Sequence, residues 1–438
     1  MNAVFIAIVT IAFGVAAVRQ VTWQGAADAA PMAVMGKGMI DAATGSVTLA
    51  IGLVGVMALF LGLMKVAEKG GLLVVIAKTL RPSLVRLFPD VPAGHPAMGA
   101  MILNMAANVL GLGNAATPFG IRAMQQLQTL NRDKATASDS MALFLAINTS
   151  SVTILPTGVI ALRAAAGSQD AAGIVPTTLF ATICSTAVAI FMAKFLAKRW
   201  KAPPPPAGAP ADEPAPDGEG AEELAGDLQA TDWQAAAGEA YPAWVSVTAL
   251  LAVAALVPLT VFYGRAIAPW IVPGLMLALL GFGWFKKVPV YEAFVEGAKD
   301  GFEVALRIIP YLVAILVAVG MFRASGAMDL IVQPLGALTG LVGLPADALP
   351  MALLRPLSGS GAYGIMASII QDRAIGPDSY VGYLVSTIQG STETTFYVLA
   401  VYFGAVGIRR LRHTLVAALT ADVAGVAAAV FIVGMLYG

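Results

Sequence analysis

Cysteine and charge are scarce in this sequence, and each shortage removes a class of function. The single Cys184 excludes an internal disulfide and a multi-cysteine metal site. Only 12% of the 438 residues are charged and the net charge is zero, so neither a soluble globular fold nor nucleic-acid binding is expected. We also expect no cofactor and no enzymatic activity, because no nucleophile triad, metal-ligand cluster or nucleotide-binding loop is recognisable.

Apolar residues dominate instead, at 58% of the chain with a mean hydropathy of +0.80. Several uncharged runs approach the roughly 20 residues that cross ~30 Å of hydrocarbon. We predict an all-α polytopic membrane protein with the bilayer as its surroundings. Its expected spans include residues 47–64, 174–193, 304–322 and 414–436, with 244–263 and 270–285 as two separate spans.

The segment 202–240 differs from the rest because it combines proline, glycine and acidic residues with no Lys or Arg. Such a composition cannot bury enough apolar surface to fold. We predict a disordered linker between two membrane halves, residues 1–201 and 241–438. Basic residues at its entrance place it in the cytoplasm under the positive-inside rule.

The two halves resemble each other in the order of their elements. Each has a long apolar helix, an amphipathic stretch, a segment interrupted by glycine and proline, and then a polar break. Following the basic residues along the chain gives the halves opposite orientations, provided that the second half has an extra leading helix at 244–263. Two inverted-topology repeats with re-entrant hairpins and interrupted transmembrane helices are therefore expected, an arrangement common in secondary transporters.

The polar breaks are "NTSSVTILP" at 148–156 and "QGSTETTFY" at 389–397. Irregular backbone at membrane depth is tolerated only where it faces protein or a water-filled cavity. We therefore expect a substrate site where the breaks meet the re-entrant segments, although these small polar residues also suit simple helix packing. The candidate ligands are Asn104, Asn108, Asn114, Asn148, Thr149, Ser150, Ser151, Ser358, Ser360, Gln389, Ser391, Thr392, Glu393 and Thr394.

Three charged residues near these breaks are candidates for ion coupling or charge pairing. Glu393 lies within the second break, and an intramembrane acid is expensive enough to suggest a function. Asp422 is a second acid, and Arg355 could neutralise either one. Glu393 then has three readings: a structural pair with Arg355, a ligand for a cationic group, or a proton carrier.

Long stretches around these residues resemble a known family. "NMAANVLGLGNAATPFGIRAMQQLQTLN" (104–131) resembles spore maturation protein A, whereas "RPLSGSGAYGIM" (355–366) and "GPDSYVGYLVSTIQGSTETTFYVLAVYFGAVGIRRLRHTL" (376–415) resemble spore maturation protein B. Both belong to the Gate-domain, or nucleoside recognition domain, group of membrane proteins. The resemblance implies a fusion of the two proteins, located in the bacterial inner membrane.

The resemblance also implies transport, without settling the substrate. We expect a secondary transporter or facilitator of a small polar solute, such as a nucleoside, amino acid, peptide or organic acid, working by alternating access. Coupling to H⁺ or Na⁺ and a homodimer are both possible. The alternative is a non-transporting membrane scaffold or an assembly factor for the envelope or spore.

Overall fold

The computed structural model describes residues 2–111, 113–150, 152–200 and 241–438, and within these ranges the chain is built from α-helices. The described residues form no β-strand, and one isolated bridge pairs Thr136 with Arg410. The predicted all-α membrane fold is confirmed. The predicted linker, 202–240, lies outside the described residues. The helices before it are α1 Asn2–Val21, α2 Pro31–Lys69, α3 Leu72–Leu87, α4 Pro96–Leu110, α5 Gly113–Leu130, α6 Asp139–Thr149, α7 Thr157–Ala165 and α8 Ile174–Arg199.

The helices after the linker follow a similar order. A long helix is again followed by a shorter amphipathic helix, a helical hairpin, a broken helix and a last long helix. They are α9 Ala243–Phe285, α10 Val290–Ala324, α11 Ala327–Thr339, α12 Leu349–Leu354, α13 Gly359–Gln371, α14 Tyr380–Ser391, α15 Thr395–Gly404 and α16 Thr414–Tyr437.

Local sequence explains why corresponding helices begin alike. Gly71 before α3 and Gly326 before α11 have φ of +78° and +76°, a left-handed conformation that glycine adopts without strain. Ser138 and Ser379 cap α6 and α14, and their hydroxyls accept hydrogen bonds from the first turn of each helix. The same turn chemistry thus recurs at equivalent places in both halves.

Helices α2 and α10 pack along most of their length, and they run antiparallel. Gly38 lies against Gly320, and Ala58 lies against Gly301, so the residue numbers rise along one helix as they fall along the other. A Cβ built on Gly301 would come within 2.6 Å of the Ala58 backbone. Glycine is required here because the two backbones approach too closely for a side chain.

The last helices of the two halves, α8 and α16, are also antiparallel. The Tyr437 hydroxyl donates to the Gly173 carbonyl at 3.0 Å, near the start of α8 and the end of α16. Further along, the Ser185 hydroxyl donates to the Ala421 carbonyl at 2.8 Å. Corresponding long helices of the two halves therefore point in opposite directions.

Three helical segments of the described residues are long and apolar enough to cross a membrane: Pro31–Lys69, Ala171–Arg199 and Thr414–Tyr437. A fourth candidate is a pair of short helices, Pro334–Val342 and Ala346–Leu354, bent by 102°. Shorter apolar helical segments of 10–17 residues lie at Phe5–Val21, Pro96–Leu110, Ala243–Val253, Pro269–Phe285 and Leu312–Ala324.

Helix α9 differs from the expectation of two spans at 244–263 and 270–285. Ala243–Phe285 is a single 43-residue helix that contains Pro258, Pro269 and Pro273. At 1.5 Å per residue it is about 64 Å long, far more than a bilayer core requires. The chain does not turn back between the two runs, so the extra leading helix assumed in the sequence argument is not formed.

The hydrophobic cores combine residues of both halves. One cluster contains Phe144 from the first half and Phe403 from the second. The other contains Leu53 and Leu312 from α2 and α10. Packing in both cores therefore holds the two halves together.

Candidate functional site

Two broken helices meet in the middle of the molecule. Helix α6 ends at Thr149 and α7 begins at Thr157, whereas α14 ends at Ser391 and α15 begins at Thr395. The breaks touch directly, because the Glu393 amide donates to the Thr149 carbonyl at 2.8 Å. The two polar motifs identified in the sequence therefore form one region.

Each break is also fixed to the hairpin of its own half. The Ile154 amide donates to the Val109 carbonyl at 3.1 Å, and the Phe396 amide donates to the Pro356 carbonyl at 3.0 Å. The hairpins supply partners for backbone groups that the broken helices leave unpaired. Asn108 directly precedes Val109, and Arg355 directly precedes Pro356. Asn108 and Arg355 therefore occupy equivalent places in the two halves.

A cavity of about 270 Å³ lies among these four segments. Its walls come from both breaks, from both hairpins and from the start of α7. The lining residues are Asn108, Gly111, Thr153, Leu155, Pro156, Thr157, Gly158, Val159, Arg355, Gly359, Tyr363, Gln389, Gly390 and Glu393.

Arg355 is a buried cation in the cavity wall, with 4% of its surface exposed. Its Nη1 donates to the Thr394 hydroxyl at 3.2 Å, and its Nη2 donates to the Thr392 carbonyl. Its Nε has no acceptor among the described residues. Arg355 thus stabilises the extended backbone of the second break and retains one unsatisfied donor.

Glu393 lies 3.7 Å from Arg355, measured from Oε2 to Nη2. That distance allows electrostatic attraction but exceeds the 2.7–2.9 Å or so of a charge-assisted hydrogen bond. Its side chain is 53% exposed and lines the cavity. Glu393 therefore has Arg355 on one side and open cavity on the other.

Asp422 lies apart from the cavity lining, although it was grouped with these charges in the sequence. It is buried on α16, and its Oδ2 accepts a hydrogen bond from the Thr395 hydroxyl at 2.7 Å. Its Oδ1 has no partner among the described residues. Asp422 holds the start of α15, and the ion-pair contact of Arg355 is with Glu393 instead.

The amide side chains divide between cavity and core. Asn108 lines the cavity and donates to Asn148 Oδ1 at 3.0 Å. Asn104 is fully buried and donates to the Ala116 carbonyl at 2.7 Å. Gln389 also lines the cavity, and its Oε1 has no donor in the described part of the chain.

Three of the candidate hydroxyls bond to carbonyls of the helix that they follow or end. Thr149 and Ser150 donate to the Ala146 carbonyl, and Ser391 donates to the Ile388 carbonyl. None of these three is among the cavity-lining residues described above. These positions fit the alternative that small polar residues serve helix packing and do not bind solute.

The remaining candidate residues are placed as follows. Ser358 caps α13 by accepting a hydrogen bond from the Gly361 amide, and Ser360 is exposed on that helix. Ser151 lies outside the described residues, as does the side chain of Asn114, which belongs to α5. The geometry consequently brings Asn108, Arg355, Gln389 and Glu393 together at the cavity.

Two functional candidates were missed by the sequence argument. Tyr363 lines the cavity and donates to the Gly158 carbonyl at 2.9 Å, joining one half's hairpin to the other half's broken helix. His413 is fully buried before α16, and this burial lowers its pKa below the usual 6.5. The aromatic residue within "GSGAYG" was a usable signal for Tyr363, whereas nothing local indicated the burial of His413.

A buried arginine joins the halves at one end of the α8 and α16 pair. Arg163, at the end of α7, is fully buried and donates to Asp378 Oδ1 at 3.0 Å and to the Pro377 carbonyl at 2.6 Å. Its guanidinium lies 4.2 Å from the ring centre of Tyr383, which stacks on Tyr437.

A reciprocal contact occurs at the other end of the same pair. Arg412, which follows α15, donates to Asp139 Oδ1 at 2.6 Å and to the Trp200 carbonyl. In each contact, an arginine at or just after the end of one broken helix meets an aspartate at or just before the start of the other broken helix. We call them the Arg163–Asp378 latch and the Arg412–Asp139 latch.

This arrangement of broken helices and hairpins around a polar cavity defines an all-α polytopic membrane protein. A family model described as Gate, nucleoside recognition, matches residues 50–166 and 305–409, which contain both hairpins and both breaks. The chain belongs to this family.

Two relatives cover different amounts of this chain. Spore maturation protein B of Bacillus subtilis is 49% identical over 173 residues, which is 40% of this chain and 94% of the relative. Spore maturation protein A of the same organism is 46% identical over 156 residues, which is 36% of this chain and 80% of the relative. The two matches are consistent with a fusion, and no solved structure matches the chain.

Proposed function

We propose that this protein is a secondary transporter or facilitator of a small polar solute in the bacterial inner membrane. The observation that carries the proposal is the 270 Å³ cavity between two broken helices, lined by groups from both halves. Substrate sites formed by discontinuous helices at a repeat interface are typical of secondary transporters.

Alternating access would come from inverted repeats moving against each other. The antiparallel directions of α2 with α10 and of α8 with α16 support this arrangement. This support does not depend on the positive-inside rule, which required a separate helix at 244–263 that is not formed. The two latches lie at opposite ends of the α8 and α16 pair, where opening and closing would occur. H⁺ or Na⁺ is the proposed coupling ion, and a homodimer remains part of the proposal.

Gln389 gives a test that separates binding from structure. Its Oε1 lacks an internal partner, so Gln389→Leu removes a cavity acceptor without breaking a hydrogen bond of the described fold. We expect thermal stability to be unchanged or higher, while uptake into proteoliposomes falls. The measurement screens wild type and variant against radiolabelled nucleosides, amino acids, dipeptides and organic acids.

Gln125→Leu serves as the matched control, because Gln125 is exposed on α5 and does not line the cavity. It should transport like the wild type. Uptake by Gln389→Leu at the wild-type rate for every transported solute would contradict the proposed site.

A non-transporting scaffold is the second candidate. It is favoured by the self-contained hydrogen bonds of the hydroxyls in both breaks and by the contact between the Thr177 and Thr387 hydroxyls at 2.7 Å. Both relatives are named for spore maturation, so this role would be assembly of the spore or envelope. The scaffold predicts no uptake of any solute and a stoichiometric protein partner.

A further inference from the structure

The charges of the residues that line the cavity are balanced. Among its lining residues, Arg355 is the cation and Glu393 is the anion. From this pairing we propose that the solute is a zwitterion with its ammonium and carboxylate on one carbon, an α-amino acid. The inference rests on the proposed transport function.

The carboxylate of such a solute has a site at Arg355 and the start of α7. Arg355 is buried, and its Nε has no acceptor in the described residues. Thr157, Gly158 and Val159 bring the first turn of α7 to the cavity, and this nine-residue helix has no side-chain cap. The Thr157 and Val159 amides already donate to the Leu155 and Pro156 carbonyls. The helix start still carries partial positive charge, and together with the unsatisfied Arg355 Nε it favours a carboxylate here.

The ammonium has a complementary site at Glu393 and Gln389. Glu393 presents a half-exposed carboxylate, and Gln389 Oε1 is an acceptor without a donor in the described part of the chain. An ammonium group donates up to three hydrogen bonds, so it can satisfy both. An anion at this end would instead meet a carboxylate and an amide oxygen.

The volume of the cavity and the distance between its two charges restrict the class of solute further. The cavity is just below the roughly 300–1,000 Å³ of drug-sized sites, which suits a small solute. Arg355 and Glu393 lie 3.7 Å apart, so the two charges of the solute must also be close together. An α-amino acid meets this condition, whereas an ω-amino acid separates its charges, and an uncharged nucleoside offers neither protein charge a group of opposite sign.

The test removes one solute charge at a time. The purified full chain is measured by thermal shift and by proteoliposome uptake with glycine, L-alanine and L-serine. N-acetyl-L-alanine, L-alanine methyl ester, β-alanine and uridine are the comparison solutes. We expect an α-amino acid to raise the Tm and to enter at least roughly tenfold faster than either blocked derivative, the difference expected from losing one strong polar contact.

Two variants assign the ammonium site. Glu393→Gln should lose the preference for L-alanine over N-acetyl-L-alanine, whereas Glu303→Gln, an exposed acid on α10 outside the cavity, should keep it. Uptake of uridine or an organic anion in preference to the α-amino acids would overturn the zwitterion inference and leave transport standing. Absence of uptake for every solute would overturn both proposals.

Discussion

The acids Glu393 and Asp422 belong to the same region of sequence but have different surroundings. Glu393 has an open cavity beside it and a cation 3.7 Å away. Asp422 is enclosed and accepts a hydrogen bond from Thr395. An exposed acid is available to a ligand, whereas an enclosed acid acts on its neighbours, so we assign solute binding to the first and helix positioning to the second.

Replacing Asp422 tests that assignment. Asp422→Asn keeps an oxygen that can accept from Thr395 and removes a buried carboxylate with one unpartnered oxygen. We expect its thermal stability to equal or exceed the wild type. Asp422→Leu leaves the Thr395 hydroxyl unsatisfied, which should cost about 1–3 kcal/mol.

Thermal unfolding of the detergent-solubilised variants measures this difference. If Asp422→Asn were destabilised as much as Asp422→Leu, the negative charge itself would be necessary for the fold.

Hairpin and broken helix form one structural unit in each half. In the first half their contact depends on Gly111, which ends α4 with a φ of +75°. A Cβ at this position would lie 2.6 Å from the Leu155 carbonyl oxygen, which is too close for any side chain. Glycine is therefore needed both for the turn and for the approach of the break.

Gly111→Ala should disturb this unit. The left-handed backbone alone costs about 1–2 kcal/mol for a residue with a Cβ, and the contact with Leu155 adds to that cost. We expect a lower Tm together with reduced uptake, because Leu155 lines the cavity. Both are measured on purified protein.

Gly167→Ala provides the control for the backbone effect. Gly167 has a φ of +82°, and a Cβ there would have nothing within 4 Å. Gly167→Ala should lower the stability by the backbone contribution only, and it should leave uptake unchanged. Equal effects of the two variants would show that the hairpin contact is unimportant.

At the scale of the whole molecule, the sequence predicted what depends on local pattern. Glycine, proline and small polar residues at 104–120, 148–156, 355–364 and 389–397 indicated the interruptions, and the structure has helix ends at all four. A pair of Glu393 with Arg355 was one of three readings of Glu393, and the two side chains lie 3.7 Å apart. These predictions succeeded because an interrupted helix must contain residues that tolerate irregular backbone.

Features that depend on distant partners were not predictable in this way. The positive-inside rule considers charge alone, so it could not anticipate that Asp378 and backbone carbonyls enclose Arg163. The sequence divided 244–285 into two apolar spans, but this region forms one helix, in which three prolines are tolerated. Packing between the halves determined both outcomes.

The two latches lead to a prediction about access to the cavity from the two ends of the molecule. The Arg163–Asp378 latch lies where α8 starts and α16 ends, and the Arg412–Asp139 latch lies where α8 ends and α16 starts. If the halves move against each other, the two latches cannot respond alike. Breaking one should favour opening at its own end of the molecule.

Asp378→Asn and Asp139→Asn should therefore shift access to the cavity in opposite directions. The measurement labels a Thr157→Cys reporter, in a Cys184→Ser background, with a membrane-impermeant maleimide applied to either side of oriented vesicles. Asp378→Asn should increase labelling from the side of the Arg163–Asp378 latch, and Asp139→Asn should increase it from the other side. Asp372→Asn is the control, because it breaks the partly exposed Arg323–Asp372 ion pair, which does not line the cavity. It should change labelling from neither side. Equal labelling changes in both latch variants would mean that these ion pairs hold the fold together without controlling access.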